Sequence, residues 1–317
     1  MKLLVTRRMT PAAEASISAR FDAAFRDSVV PLTLEEATAA LADYDMIMPT
    51  LGDAFRAEAF GAAIPRTRIL ANFGAGYNHI DLDAARKTGV VVSNTPDVVT
   101  DATAELAVTL LLMTARRAAE GNRLARSGEW TGWHPTQMLG SLVTGKTVGI
   151  IGMGRIGRSI ARRLHLGFDM RVVFFNRSAV SSLDIRAHQL PSIEEVMEQS
   201  DFVIIAVPGG ADTHHLIGKS ALDRLGSDGV LINIARGDII DEAALVEALS
   251  AGRIRAAGLD VFENEPQISP GLREMDNAVI LPHLGTAVEE TRTAMARRAL
   301  ENLVAFEEGR AVPDRVD

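Results

Sequence analysis

The sequence predicts an α/β chain built on parallel sheets, and three observations carry that reading. Short apolar, β-branched runs alternate with helix-length stretches along most of the chain. Most of these runs are continuously apolar rather than alternating, as strands buried on both faces must be. A glycine pattern, Gly152-x-Gly154-x-x-Gly157, falls between one such run and a helical stretch. The 317 residues suffice for about two domains of roughly 100–200 residues each.

In order along the chain, the expected strands are 2–6, 46–49, 69–72, 90–93, 147–151, 171–175, 202–207, 230–234, 257–261 and 279–282. Between them, 155–166, 193–199 and 242–250 have the length and pattern of helices. Asp101 is placed to cap one long helix over 102–126, which carries the apolar stretch 106–113. A turn-rich segment over 127–135 follows, and a second long helix covers about 288–308. Two long helices bracketing a block of strands predict a discontinuous substrate-binding domain, 1–98 plus 288–317. A dinucleotide-binding domain, 99–287, is inserted within it.

Composition narrows the function. The chain is 47% hydrophobic and 23% charged, which fits a folded protein with a sizeable core rather than a disordered one. Its longest mostly apolar run, 106–115, falls short of the roughly 20 residues that span a bilayer. The apolar run at 1–6 is too short for the core of a signal peptide, so a cytoplasmic protein without a membrane partner is expected. The absence of cysteine excludes disulfides, cysteine-based metal centres and thiol nucleophiles. A net charge of −8, from 41 acidic and 33 basic residues, argues against nucleic acid as a general partner.

The glycine pattern points to a dinucleotide. Gly152 permits a tight turn, Gly154 lets the backbone approach a pyrophosphate, and Gly157 lets the helix pack closely on the strand. The helix N-terminus then faces the anion with its amides. About 20 residues on, an NAD site carries a carboxylate for the ribose 2′-hydroxyl; this chain has Asn176-Arg177-Ser178 there. Asn176 does not repel a 2′-phosphate, Arg177 can pair with it, and Ser178 can donate a hydroxyl. NADP(H) is therefore the preferred cofactor. NAD(H) is the alternative, under which Arg177 is a surface arginine at a strand end.

Three segments at expected strand ends carry candidate chemistry: Ile234-Ala-Arg236-Gly-Asp238, Asp260-Val-Phe-Glu263-Asn-Glu265-Pro266 and Leu281-Pro-His283-Leu-Gly285. Singly, each has a plain explanation. Arg236 pairs with Asp238, Glu265 is a loop carboxylate, and His283 is a core histidine. Together they suit reduction of a 2-oxo acid. An arginine fork matches the carboxylate, and a histidine delivers a proton to the carbonyl oxygen at neutral pH. A carboxylate beside the imidazole favours its protonated form.

These motifs resemble the D-2-hydroxyacid dehydrogenase family, most closely its glyoxylate/hydroxypyruvate reductase branch. The resemblance runs from Ile69-Leu-Ala-Asn-Phe-Gly-Ala-Gly-Tyr-Asn-His-Ile-Asp81 through Asn94-Thr-Pro-Asp97 and Thr100-Asp-Ala-Thr-Ala-Glu105. It continues with the glycine turn, Ala235-Arg-Gly-Asp238, Gly258-Leu-Asp-Val261, Glu263-Asn-Glu-Pro266 and Pro282-His-Leu-Gly285. It implies two Rossmann-like domains, each a parallel sheet flanked by helices, with the active site in the interdomain cleft. The implied catalytic residues are Arg236, Glu265 and His283. Gly74, Ala75 and Gly76 resemble a substrate loop whose amides hold a carboxylate, and Leu51 an outer wall of the pocket. Trp133 either reaches a partner subunit's pocket or is an interface or core aromatic. Thr103, Val207, Pro208, Thr213, Ile234, Ala235, Asp260 and Gly285 fall where the family contacts the dinucleotide, and Arg155 and Ile156 would supply pyrophosphate amides.

The implied activity is NADPH-preferring reduction of glyoxylate or hydroxypyruvate to glycolate or D-glycerate, by a homodimer. The rivals are a dehydrogenase of a bulkier 2-oxo acid or of phosphite, and a dinucleotide-sensing binding protein of the co-repressor kind. No metal is expected. His214 and His215 are adjacent residues, expected to diverge on a solvated loop without a carboxylate cluster, and the charged helix over 289–298 is expected to be a solvated face.

Overall fold

The structure is a computed structural model and describes residues 1–61 and 63–316. The chain divides into two compact units, Met1–Val99 with Thr286–Asp317, and Thr100–Gly285. The first unit contains β1 (Lys2–Val5), α1 (Pro11–Ser18), β2 (Asp22–Phe25), α2 (Leu34–Asp43), β3 (Met46–Met48), α3 (Ala57–Gly61), β4 (Ile69–Ala71), α4 (Leu82–Thr88) and β5 (Val91–Ser93). The second opens with α5 (Thr100–Ala115) and α6 (Ala118–Ser127), then β6 (Thr147–Ile151), α7 (Arg155–Phe168), β7 (Arg171–Phe175) and β8 (Ala187–Gln189). It continues with α8 (Ile193–Glu198), β9 (Phe202–Ile205), α9 (Lys219–Leu225), β10 (Val230–Asn233), α10 (Glu242–Ser250), β11 (Ala256–Leu259), α11 (Pro270–Glu274) and β12 (Ala278–Ile280). The last helix, α12 (Glu289–Glu307), belongs to the first unit.

Both sheets are wholly parallel. The first has the order β2-β1-β3-β4-β5 and the second β12-β11-β10-β9-β6-β7-β8. In the second, Val203 and Ile205 of β9 enter a core with Val196, Leu222 and Leu249 from α8, α9 and α10. The intervening Ile204 enters another core with Leu110, Ile160 and Leu164 from α5 and α7. Alternate residues thus meet helices on opposite faces, so both must be apolar. Among the described residues, no helix is long and apolar enough to cross a membrane.

Two strands lack that signature. β2 and β8 each stand at one edge of their sheets, with the better-covered β5 and β12 at the other edges; they are only half-buried and read Asp-Ala-Ala-Phe and Ala-His-Gln. Their sequences carry no apolar run because one face and one edge meet water.

The expected helix over 102–126 is two helices. Arg117 turns left-handed at φ 52°, and the Ser141 amide donates to the Ala115 carbonyl at 2.8 Å, ending α5. A Cβ on Gly140 would lie 2.3 Å from that carbonyl oxygen, so the returning chain is seated against the helix end. Asp101 is inside the first turn of α5 rather than at its cap. It accepts from Arg163 Nη2 at 3.0 Å and Ser159 Oγ at 3.3 Å, tying α5 to α7. In α12, Glu289, Glu290 and Arg297 are exposed, while Met295, Ala296, Ala299, Leu303 and Ala305 make a buried face and Arg292 is half-buried.

A buried carboxylate shapes the loop after β3. Asp53 is fully buried and accepts from the Thr6 hydroxyl at 2.6 Å and the Thr50 and Leu32 amides at 2.7 and 2.8 Å. Arg7 lies 3.7 Å away and donates to the Leu51 carbonyl at 3.0 Å. Removing the carboxylate strands two amides and a hydroxyl in the interior. Asp53→Ala is therefore expected to destabilise the protein by about 3 kcal/mol, read by urea unfolding; a loss near zero would show that water replaces these bonds.

Candidate active site

Three adjacent parallel strands bring Arg236, Glu265 and His283 together. Asn233 of β10 is in register with Leu259 of β11, and Leu259 with Ile280 of β12, so the loops after all three strands leave the sheet at the same carboxyl end. Arg236 and His283 each follow three residues after these positions, and Glu265 stands on the longer loop between β11 and β12. Gly237 permits the meeting: a Cβ there would lie 1.8 Å from the Phe262 carbonyl carbon, so the Arg236 turn rests directly on the backbone leading to Glu265. The buried Asn233 braces the turn, donating to the Arg236 carbonyl at 2.7 Å and accepting from the Ala235 amide at 3.0 Å.

His283 Nδ1 is 2.8 Å from Glu265 Oε2, and the Phe262 amide donates to Glu265 Oε1 at 3.1 Å. Burial opposes ionisation of Glu265. The His283 bond and charge, the Phe262 amide and the Arg236 charge outweigh it and hold the carboxyl below its ordinary range. An ionised carboxylate only accepts, so Nδ1 carries the hydrogen and Nε2 is left to exchange a proton. Burial draws the Arg236 guanidinium below the usual arginine value, against the charges of Glu265 and Asp238. His283 itself adopts φ 56°, held by its amide's bond to the Asp260 carbonyl at 2.9 Å. Asp260 is buried and accepts from the Leu284 and Gly285 amides at 2.7 and 2.8 Å. Burial pushes its carboxyl up, against those two amides and the His283 charge.

The glycine turn lies at the end of β6, where the strand order reverses between β6 and β9, the usual place for a nucleotide in such sheets. Gly152 has φ 99°, and a Cβ there would sit 2.6 Å from the Ala206 carbonyl oxygen. A Cβ on Gly157 would sit 2.0 Å from the Gly152 oxygen, while that of Gly154 meets nothing within 4 Å. Two glycines thus close the turn and the third leaves its outer face open. Gly154 caps α7 without a side-chain bond, so the amides of the first turn, from Arg155 and Ile156 onward, face outward. These residues fit a dinucleotide's pyrophosphate.

Around this turn, Asn176 accepts from the Met153 amide at 3.3 Å and donates to the Ser178 carbonyl and hydroxyl at 3.0 and 3.3 Å. Arg177 is 81% exposed and stands 3.5 Å from Asp212. Val207 and Pro208 follow β9, and Thr213 donates to the Pro208 carbonyl at 2.8 Å. Ile234 and Ala235 are buried at the end of β10, and a Cβ on Gly285 would meet Asp260 at 3.4 Å and Thr103 at 3.8 Å. Asp260, Thr103 and Gly285 therefore form one cluster in the second unit.

In the first unit, parallel pairing of Thr50 with Phe73 sets the Leu51 loop beside Gly74, Ala75 and Gly76. Asn72 Nδ2 donates to the carbonyls of Gly74 and Gly76 at 2.9 and 3.0 Å, and Asn94 Nδ2 to that of Ala75 at 2.8 Å. A trans peptide's N–H points opposite its carbonyl. With all three carbonyls drawn to the asparagines, the amides of Ala75, Gly76 and Tyr77 face the other way, as an anion-binding nest requires. Arg292 of α12 stands 5.9 Å from the Phe73 ring centroid and donates to the Thr286 carbonyl at 3.0 Å. The guanidinium thus lies over the side chain of Phe73, the residue that precedes the loop.

The profile described as "D-isomer specific 2-hydroxyacid dehydrogenase, NAD binding domain" matches residues 108–285. The chain belongs to this family. It is similar to a glyoxylate reductase of Pyrococcus horikoshii, 44% identical over 280 residues that cover 87% of this chain and 83% of that one. A glyoxylate reductase of Thermococcus onnurineus is 40% identical over 322 residues, covering 100% and 96%. Among solved structures, an NADPH-dependent glyoxylate/hydroxypyruvate reductase of Sinorhizobium meliloti with NADP and malonate superposes with a TM-score of 0.88 at 34% identity, covering 99% and 96%.

As a D-2-hydroxyacid dehydrogenase, the protein is an NAD(P)-dependent oxidoreductase. Sequence reasoning missed the parts played by Asn72, Asn94, Asn233 and Arg292. The asparagines stand at strand ends, the one signal that could have marked them. Trp133 is 78% exposed beside Trp130, so it is not a core aromatic. His214 and His215 do not diverge: their rings stack at 3.9 Å, and Glu263 lies 3.0 Å from His215 Nε2. The glycine contacts yield a test. Gly237→Ala must displace the Arg236 turn or the Phe262 backbone, so turnover of a 2-oxo acid should fall about 100-fold. Dinucleotide affinity, by fluorescence titration, should change far less than turnover, because the β6–α7 turn is untouched; unaltered turnover would show that the Arg236 turn need not rest on Phe262.

Proposed function

We propose that the protein reduces small 2-oxo acids, glyoxylate and hydroxypyruvate foremost, with NADPH as the preferred donor. The observation that carries this reading is the Glu265–His283 hydrogen bond beside Arg236 at the end of three adjacent strands. The bound dinucleotide supplies the hydride. Arg236 holds the substrate carboxylate and polarises the reacting carbonyl, and the Ala75 and Gly76 amides take the far side of the carboxylate. His283 Nε2 delivers the proton to the same carbonyl oxygen, while Glu265 holds Nδ1 and so orients the ring. Leu51, and Trp133 supplied by the second subunit of a homodimer, limit the size of the group carried on the reacting carbon.

Relatives 39–44% identical to this chain are glyoxylate reductases, which supports the substrate class. Asn176, where NAD users carry a carboxylate, supports the donor. The Arg177–Asp212 pair is exposed on both sides, 81% and 86%, so breaking it to meet a 2′-phosphate costs little. A cytosolic homodimer is the state in which we expect it to act. Exposed Trp130, Trp133, Leu139 and Leu142 lie in one segment next to α6, which has no buried residue. Light scattering should give the mass of two chains.

Initial rates with NADH and NADPH crossed against glyoxylate, hydroxypyruvate, pyruvate and phenylpyruvate test the assignment. Glyoxylate and hydroxypyruvate with NADPH should give the highest kcat/KM. A tenfold preference for NADH, about 1.4 kcal/mol, would refute the part given to Arg177; a preference for phenylpyruvate would favour the bulkier-acid reading. His283→Ala should lose about 10²–10⁴-fold in kcat while still binding NADPH. Unchanged turnover would remove the histidine from the reaction.

A further inference from the structure

Outside the Arg236–Glu265–His283 group lies a second cluster of titratable side chains. His214 has φ −62° and ψ 126°, His215 has φ 49°, and the Leu216 amide donates to the Thr213 carbonyl at 3.3 Å. This is a type II turn over residues 213–216, with His215 at the position that usually requires glycine. The turn swings two consecutive side chains, which an extended backbone would point apart, to one side. Their rings stack with centroids 3.9 Å apart and planes 24° from parallel.

Tertiary bonds hold this conformation. The His215 amide donates to the Asp238 carbonyl at 2.8 Å, and His215 Nε2 meets Glu263 Oε1 at 3.0 Å. The Glu263 amide in turn donates to Glu242 Oε2 at 3.1 Å, fixing the backbone beneath the carboxylate. One ligand atom from each of His214, His215 and Glu263 lies within 4.8 Å of the others. Ligands around a tetrahedral zinc at 2.0–2.2 Å are about 3.4 Å apart, so the His215–Glu263 edge is already near the required length and only the exposed His214 ring need shift. Two imidazoles and one carboxylate with open solvent beyond are the donor set of a three-ligand zinc site whose fourth position takes water.

We propose that His214, His215 and Glu263 bind a divalent transition-metal ion of the zinc class, which clamps the loop after β9 to the loop after β11. The first loop carries Val207, Pro208 and Thr213; the second carries Glu265, two residues beyond Glu263. The ion takes the place of the hydrogen shared by His215 and Glu263 and draws in His214.

The test uses untagged, chelator-stripped full-length protein. Cobalt(II) is titrated by visible absorption and zinc(II) by calorimetry. About one ion per chain is expected, with the intense visible bands of four-coordinate cobalt and a zinc-dependent rise in Tm. His214→Ala keeps the His215–Glu263 bond. It should weaken binding by more than the roughly 10–100-fold that loss of an outer-sphere partner costs, and leave the metal-free reduction rate unchanged. Glu263→Gln should weaken binding likewise. Absence of stoichiometric binding to the wild type, or equal affinity in His214→Ala, would overturn the proposal.

Discussion

The short bond between Glu265 and His283 is the constraint from which the rest of the site follows. An ionised carboxylate at 2.8 Å from Nδ1 decides which ring nitrogen keeps its hydrogen, and so which one can exchange a proton. That bond needs two loops to arrive at one place. The register of β10, β11 and β12 provides this, because parallel neighbours must discharge their following loops at the same carboxyl end of the sheet. The charges then act on one another. Arg236 and His283 keep Glu265 ionised against its burial, and Glu265 and Asp238 keep Arg236 charged against its own. Neither Glu265 nor Arg236 would hold its charge as readily alone.

Close backbone contact, more than side-chain packing, sets the precision of this arrangement. Gly237 against Phe262 and Gly157 against Gly152 leave no room for a single carbon. Interiors packed this densely have few alternative positions, so groups mounted on such turns inherit the rigidity of the sheet. In the first unit, polar bonds do the same work. Asn72 and Asn94 hold three successive carbonyls on one side and thereby aim three amides to the other. Asp53 anchors the neighbouring loop from beneath.

How much of this could be read from the sequence depended on whether a local signal existed. Strands sandwiched between helices, such as β6, β7 and β9, announce themselves because both faces must be apolar; β2 and β8, at the edges, carry no such requirement. The glycine turn and the three strand-end motifs are contiguous, so their chemistry was legible. The break after Ala115 was not, since the amide of Ser141, far along the chain, caps that carbonyl, with Gly140 seated against it. The histidine pair was misread for a related reason: whether adjacent side chains converge depends on φ at His215, and that angle is fixed by Asp238 and Glu263, far along the chain.

At the end of β7, where NAD sites of this fold carry a carboxylate for the ribose, this chain has an amide. Asn176 joins the Met153 amide of the glycine turn to Ser178, and Gln189 of β8 donates to the Asn176 and Ser178 carbonyls at 3.1 Å. The turn is thus stitched without a negative charge. An aspartate at 176 could still accept from Met153 but could not donate to Ser178, so it would loosen the stitch while adding repulsion toward a phosphate. The frame is secured by amides, and Arg177 lies outside it. That side chain is mostly in water and pairs weakly with Asp212, so the fold does not fix its position.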